Sequence, residues 1–506
     1  MKKRYHKTLR RDSKSIAQRL QRKNFADQPE PMMKAVNIEY QVSERTRAIG
    51  YGGIGAIHTM VGKLGLDQEI NQRVKLLKVH IPYYESDHIL NLAYNIMCGG
   101  TCVEDLERLR QCESYLNGLG AERIPDPTTA GDFLRRFADE GSILSLQEVI
   151  NGTRKKVWVE RGQHDKSFLA EGVIDVDGTI AGTTGECKEG MDISYKGTWG
   201  YSPLIISLAH TSEALYLVNR SGNQTSADGA AEWLDRSIAL VGGVFQKVWL
   251  RGDTDFSLTK NFDRWSAQGV SFVFGYDAKA NLVKIADELP KSRWKKLHRP
   301  ARYEVATAAR EPRENVKEAV VKEREFKNLR LKSEDVAEFR YRPTACQQEY
   351  RMVVVRKNLS VEQGAAVLFD DIRYFFYITN DEEKSKQEIV FFANRRGNQE
   401  NLIGQLKSGV NALRMPSSDL HSNWAYMVIA ALAWNLKAWY GLLVEDRVKG
   451  DEIVRMEFKR FLLSFMQLPC QILKTGRRVV YRILSYSKHL KTFLAAFEYI
   501  KQLKLE

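Results

Sequence analysis

At 506 residues the chain is too long for one ordinary domain, and a composition 43% hydrophobic and 10% aromatic excludes global disorder. Lysine and arginine outnumber aspartate and glutamate by 77 to 63, and the resulting net charge of +14 favours a polyanionic partner without requiring one. Six cysteines (Cys98, Cys102, Cys112, Cys187, Cys346 and Cys470) are dispersed and complete no zinc set, so reduced thiols in a cytosolic protein are expected.

The first 23 residues carry ten Lys/Arg and one Asp. This basic arm, taken as residues 1–35, suits phosphate contact, and no apolar run follows it to make a secretory signal. Residues 36–165 show apolar positions at helical spacing. Short helices joined by glycine-containing turns suit a helical DNA-binding domain or an ordinary packing domain. A helix start is expected at Thr128 or Thr129, after the Pro and Asp of the preceding turn.

The texture changes near residue 172. Strand-type runs alternate with helical ones through residue 285, which implies an α/β domain with a mixed sheet over residues 166–285 and 381–445. Residues 286–380 break the alternation with a charged stretch and three strand-like runs, a β-rich insertion. Beyond residue 383 the pattern is helical, so residues 446–506 are expected to form a basic helical C-terminal region. The most apolar stretch, Trp424 to Val444, contains Asn435 and Lys437. It reads as a buried helix rather than a membrane span, and no membrane partner is expected.

The chemistry is carried by carboxylates. Asp175 and Asp177 lie two apart on one strand and so share a face, where an otherwise apolar surroundings demands solvent or a cation. Asp253 follows the end of another strand, the carboxyl edge where open α/β sheets hold ligands, with Asp255 close behind. Arg396, Glu400 and Lys407 stand four and seven residues apart, which brings them to within about 40° of one another on a helix. Hard cations such as Mg²⁺ prefer oxygen ligands, and three carboxylates can hold two of them for phosphoryl transfer. Arg251, beside Asp253, suits either a phosphate or a surface salt bridge. Arg477, Arg478 and Arg482 form a basic cluster around Tyr481 that suits DNA. Trp199 could stack on a displaced base or pack in a turn, and His210 reads as a core histidine.

These segments together resemble the insertion-sequence transposases with a ribonuclease-H-like core and an Asp-Asp-Glu triad, in the branch with a β-rich insertion before the Glu. Insertion-sequence family thirteen-eighty is the most similar subgroup. Asp177 matches the first aspartate, Asp253 the strand-end aspartate, and Arg396, Glu400 and Lys407 the Tyr-x2-Arg-x3-Glu-x6-Lys signature, where Ala393 replaces the tyrosine. The resemblance implies catalytic, metal-binding Asp177, Asp253 and Glu400, with Asp175 and Asp255 as substitute ligands. It further implies two Mg²⁺ ions (Mn²⁺ able to substitute) and phosphate contacts from Arg396, Lys407 and the other arginines. It implies cut-and-paste transposition on double-stranded DNA, both transposon ends and target, by a homodimer in a synaptic complex, in a prokaryotic cytoplasm near the nucleoid. The same residues suit a metal-dependent structure-specific nuclease, or a non-catalytic DNA-binding protein derived from a transposase.

Overall fold

Five strand-forming runs between residues 171 and 276 set the architecture. The computed structural model describes residues 3–21, 41–42, 46–80, 82–299, 316–364, 366–476 and 478–504. The basic start forms one helix, α1 (Lys3–Gln21), mostly exposed. Among the described residues seven further α-helices precede the sheet, ending in the long α2 (Glu140–His164). The helix over Pro127–Leu134 begins one residue before the expected Thr128. Asp126 is its cap, accepting from the Thr129 N–H at 2.9 Å, and Pro127 occupies the first helical position.

The sheet is built from β1 (Glu171–Gly178), β2 (Leu204–Leu208), β3 (Glu213–Val218), β4 (Lys247–Gly252) and β5 (Ser271–Tyr276). Their spatial order is β3-β2-β1-β4-β5. The β1–β4 and β4–β5 pairs are parallel, and the β1–β2 and β2–β3 pairs antiparallel. This mixed order is the ribonuclease-H-like core that the resemblance implies. Helix α3 (Ala230–Gly242) makes the crossover from β3 to β4 and packs against β1.

The β-rich insertion is part of the same sheet. Its strands β6 (Lys327–Tyr341), β7 (Tyr350–Gln363) and β8 (Ala366–Thr379) form an antiparallel ribbon. The last four residues of β8 pair with β5, so one nine-stranded sheet runs through core and insertion. The chain then re-enters helices α4 (Lys386–Asn394), α5 (Gly397–Ser408) and α6 (Leu420–Leu442).

Helix α6 is the apolar stretch seen in the sequence, and it is buried almost along its whole length. Asn435 and Lys437, the polar residues in its middle, are there because each has a backbone to serve. Asn435 bonds both the N–H and the carbonyl of Ala214 on β3, and Lys437 donates to the carbonyls of Val454 and Met456 at 2.7 Å. Buried Glu213 ties α2 and α6 to the sheet, accepting from the indoles of Trp158 and Trp439 and pairing with Arg154. Among the described residues no helix is long and apolar enough to cross a membrane.

The C-terminal region departs from the helical expectation. Strands β9 (Cys470–Thr475) and β10 (Arg478–Ile483) form an antiparallel hairpin, and β9 also pairs with Ala48–Ile49. The hairpin's base is held because Tyr481 fills the space beside Gly55 and Gly118, where any Cβ would collide with its ring or hydroxyl.

Candidate active site

Asp175 and Asp177 do share a strand face, and their surroundings separate them. Asp175 is buried and registers opposite Arg251 on the parallel neighbour β4. The Arg251 guanidinium grips its carboxylate at 2.6 and 2.8 Å and donates its remaining arm to the Phe392 carbonyl at 2.7 Å. A buried bidentate pair with its spare donor satisfied is a structural clamp. It holds α4 on the sheet. Arg251 is therefore corrected as a phosphate contact: it is only 3% exposed, and all its visible bonding goes to Asp175 and Phe392. For the same reason Asp175 is not open to a metal ion as a substitute for Asp177.

Asp177 stands at the carboxyl end of β1 and Asp253 just past the end of β4. Both carboxylates converge on Arg396, whose Nη1 lies 3.0 Å from Asp177 Oδ2 and 3.7 Å from Asp253 Oδ2. Burial raises the Asp177 carboxyl to about 6. Arg396 pulls against that shift, while Asp253 and, more weakly, Glu400 push with it. The Asp253 carboxyl is also raised, first by burial, with Arg396 opposing and Asp255 adding. Asp255 itself is exposed, in the single turn that Asp253 caps through the Asp255 N–H.

Two glycines seat that turn. A Cβ at Gly252 would lie within about 3 Å of Phe256, Phe274 and Val176, and one at Gly275 would meet the Thr254 nitrogen at 3.0 Å. Small residues on both strands let the Asp253 turn lie flat on the sheet edge.

Glu400 lies in the first turn of α5 and is exposed. The helix-face reading of its neighbours is changed by the structure. Arg396 precedes the helix as its cap residue and reaches across to the aspartates. Lys407, in the last turn, is exposed, and its ammonium pKa is lowered by burial and by nearby Lys196. Among the described residues Glu400 has no ion pair.

A residue that the sequence did not single out fixes α5 in place. Gln399 is buried, and its Nε2 donates to the carbonyls of Asp175 at 3.2 Å and Ile205 at 3.0 Å. It pins the start of α5 over β1 and β2, beside Asp177. Tyr377 is a second such residue. Its hydroxyl bonds Asn394, next to Ala393, and Arg396 is near enough to oppose the rise that burial imposes on the phenol. Ala393 itself is buried against Trp249 and its neighbours.

The remaining predicted residues lie elsewhere. Arg478 and Arg482 are exposed on β10, and Arg477 lies outside the described residues. Trp199 is 52% exposed beside a separate cavity. His210, expected in the core, lies instead in the turn after β2 and is exposed, its ring edge-on to Phe168 and Phe245. All six cysteines are free thiols.

The donor set at the strand ends is oxygen only, and two carboxylates already converge on one cationic nitrogen. That suits a hard divalent cation. Among the described residues no group of three or more acidic, His or Cys side chains is gathered closely enough to hold an ion as it stands, and Arg396 fills the gap between the aspartates.

The profile of a protein family described as "Transposase DDE domain group 1" matches residues 46–505. No curated protein matches the chain. Among solved structures, the chain superposes on one described as a cryo-EM structure of a piggyBac transposase synaptic complex with hairpin DNA. The TM-score is 0.34 at 11% identity, covering 83% of this chain and 82% of that one.

Proposed function

The chain belongs to the transposase DDE domain group 1 family and is a DNA transposase, and on that premise we propose that Asp177, Asp253 and Glu400 are its catalytic carboxylates. The observation that carries the assignment is the convergence of Asp177 and Asp253 on one guanidinium at adjacent strand ends, with Gln399 holding Glu400 alongside. The three would hold two divalent ions, Mg²⁺ with Mn²⁺ able to substitute, which when bound supply charge stabilisation to the attacking and leaving oxygens of a phosphodiester.

The chain's own residues do the positioning. Arg396 neutralises the aspartates in the resting site, and on the arrival of DNA its planar fork suits the phosphate flanking the scissile bond. Lys407 and the exposed Arg478 and Arg482 add phosphate contacts that set the register of the duplex without reading its sequence. Water attacks the phosphorus at a transposon end and the 3′ oxygen leaves as a hydroxyl. That hydroxyl then attacks a target phosphodiester, its oxygen bonding to the phosphorus as the target strand's own 3′ oxygen leaves and takes up the proton. We assign the chain within the family to the insertion-sequence branch thirteen-eighty, acting as a homodimer on paired ends in the prokaryotic cytoplasm, near the nucleoid.

A joining assay tests this reading. Pre-cleaved end DNA incubated with target duplex and Mn²⁺ is expected to give covalent joints. Cleavage without joints would make the protein a structure-specific nuclease on the same core.

A further inference from the structure

A cavity of about 710 Å³ opens beside the short strands that follow β1. Its lining includes Thr183, Thr184, Lys188, Trp199 and Arg414. Trp199 pairs through its backbone with Ile193, yet the residue is half exposed. Four residues earlier, Tyr195 is 82% exposed with the Lys196 ammonium 5.3 Å from its ring centroid. The loop between them is not loose: the Ser194 and Gly197 N–H groups are both satisfied within it, by Thr198 and Ser194 carbonyls. Two aromatic faces and a cation are thus presented on a fixed turn.

Cations also line the cavity itself. Arg414 donates through Nη1 to the Thr101 carbonyl at 2.8 Å, one of the five N–H groups it carries. Lys188 donates to the Met415 carbonyl. Met415, also in the lining, has φ at 52°, a left-handed conformation that costs a non-glycine residue free energy and tends to gather at functional sites. Among the described residues Glu104 is the one carboxylate of the lining, and it lies within electrostatic reach of Arg414.

The cavity is close to the acidic site along the chain. Thr183 follows Asp177 by six residues, at most about 21 Å of extended backbone. Lys196, three residues before Trp199, is near enough to Lys407 on α5 to depress its pKa.

We propose that this cavity receives an unpaired nucleotide of the DNA substrate, with the base stacked on Trp199 and the phosphates held by Arg414 and Lys188. A base inside a duplex has both faces covered by its neighbours, so only an unpaired one can use the Trp199 face, and such stacking is tolerant of base identity. The threonine hydroxyls can serve sugar or base edges as donor or acceptor. The assignment rests on the transposase reading above, and the test separates the two.

The full chain is titrated with a blunt duplex of mixed sequence and with the same duplex bearing a short 3′ tail that contains a fluorescent adenine analogue. The wild-type protein is expected to bind both, prefer the tailed form and quench the analogue. Trp199→Ala is expected to weaken tailed binding about tenfold, leave blunt binding unchanged and abolish quenching. Trp199→Phe should restore quenching, and Arg414→Gln should lower the salt dependence for the tailed form alone. Equal losses on both DNAs, or no loss on either, would overturn the nucleotide pocket while leaving the transposase reading standing. Binding of neither DNA by the wild type would overturn both. A free deoxynucleoside monophosphate that competed as well as the tail would overturn the assignment to a strand.

Discussion

Two aspartates on one strand face, two residues apart, have opposite surroundings. Asp175 meets Arg251 in a dry, bidentate clamp, whereas Asp177 shares its cation with Asp253 and keeps some contact with solvent. Removing one partner of a buried pair leaves the other charge uncompensated, so Asp175→Ala should lower unfolding free energy by about 3–5 kcal/mol. The double change Asp175→Leu with Arg251→Met should recover much of it, as chemical denaturation would show. A melt unchanged by Asp175→Ala would remove the clamp from this account. Asp177 makes a different prediction. Its carboxyl is higher in the folded chain, at about 6 against an ordinary 3.8, so the folded state holds that proton more tightly than the unfolded one. The resulting stability is complete below pH 3.8 and is lost as pH rises through about 6. In metal-free melts across that window Asp177→Asn should gain on the wild type as pH rises; parallel curves would contradict the shift. The sequence made both aspartates visible. It could not rank them on physical grounds, because what divides them is Arg251, seventy-six positions away on a neighbouring strand.

Among the elements, α5 shows the limit of periodicity. Spacing placed Arg396, Glu400 and Lys407 on one face, but Arg396 belongs to the turn before the helix and its side chain crosses to the sheet. Helical arithmetic describes one helix and is silent about its neighbours. Gln399 was illegible for the same reason, since its partners are backbone carbonyls of β1 and β2. Outer positioning groups of this kind typically govern 10–100-fold of metal affinity or activity. Gln399→Leu, which keeps the bulk and removes the donor, is expected to reduce DNA cleavage by about that factor with an unchanged far-ultraviolet spectrum. Activity within about twofold of wild type would mean that α5 is placed by packing alone. The β9–β10 hairpin does carry a sequence signal, Gly476 between two runs that contain β-branched residues, set within a segment whose arginines point to a charged surface. Helix α6 was legible because an apolar run interrupted by Asn435 and Lys437 fits a packed interior, where both found backbone partners.

For the molecule as a whole, alternating strands and helices announced the α/β core, and three successive strand runs announced the insertion. The join between them was not announced: β8 pairs with β5, so the insertion extends the catalytic sheet instead of standing apart from it. That continuity makes the edge carrying Asp177 and Asp253 a fixed platform between the insertion ribbon on one side and α5 on the other. On the proposed assignment this platform performs phosphoryl transfer with Asp177, Asp253 and Glu400. The most direct measurement is cleavage of transposon-end DNA in Mg²⁺ by Asp177→Ala and Glu400→Ala, each compared with wild type at matched DNA occupancy. Both variants are expected to bind the DNA and neither to cleave it; cleavage by either at the wild-type rate would contradict the assignment.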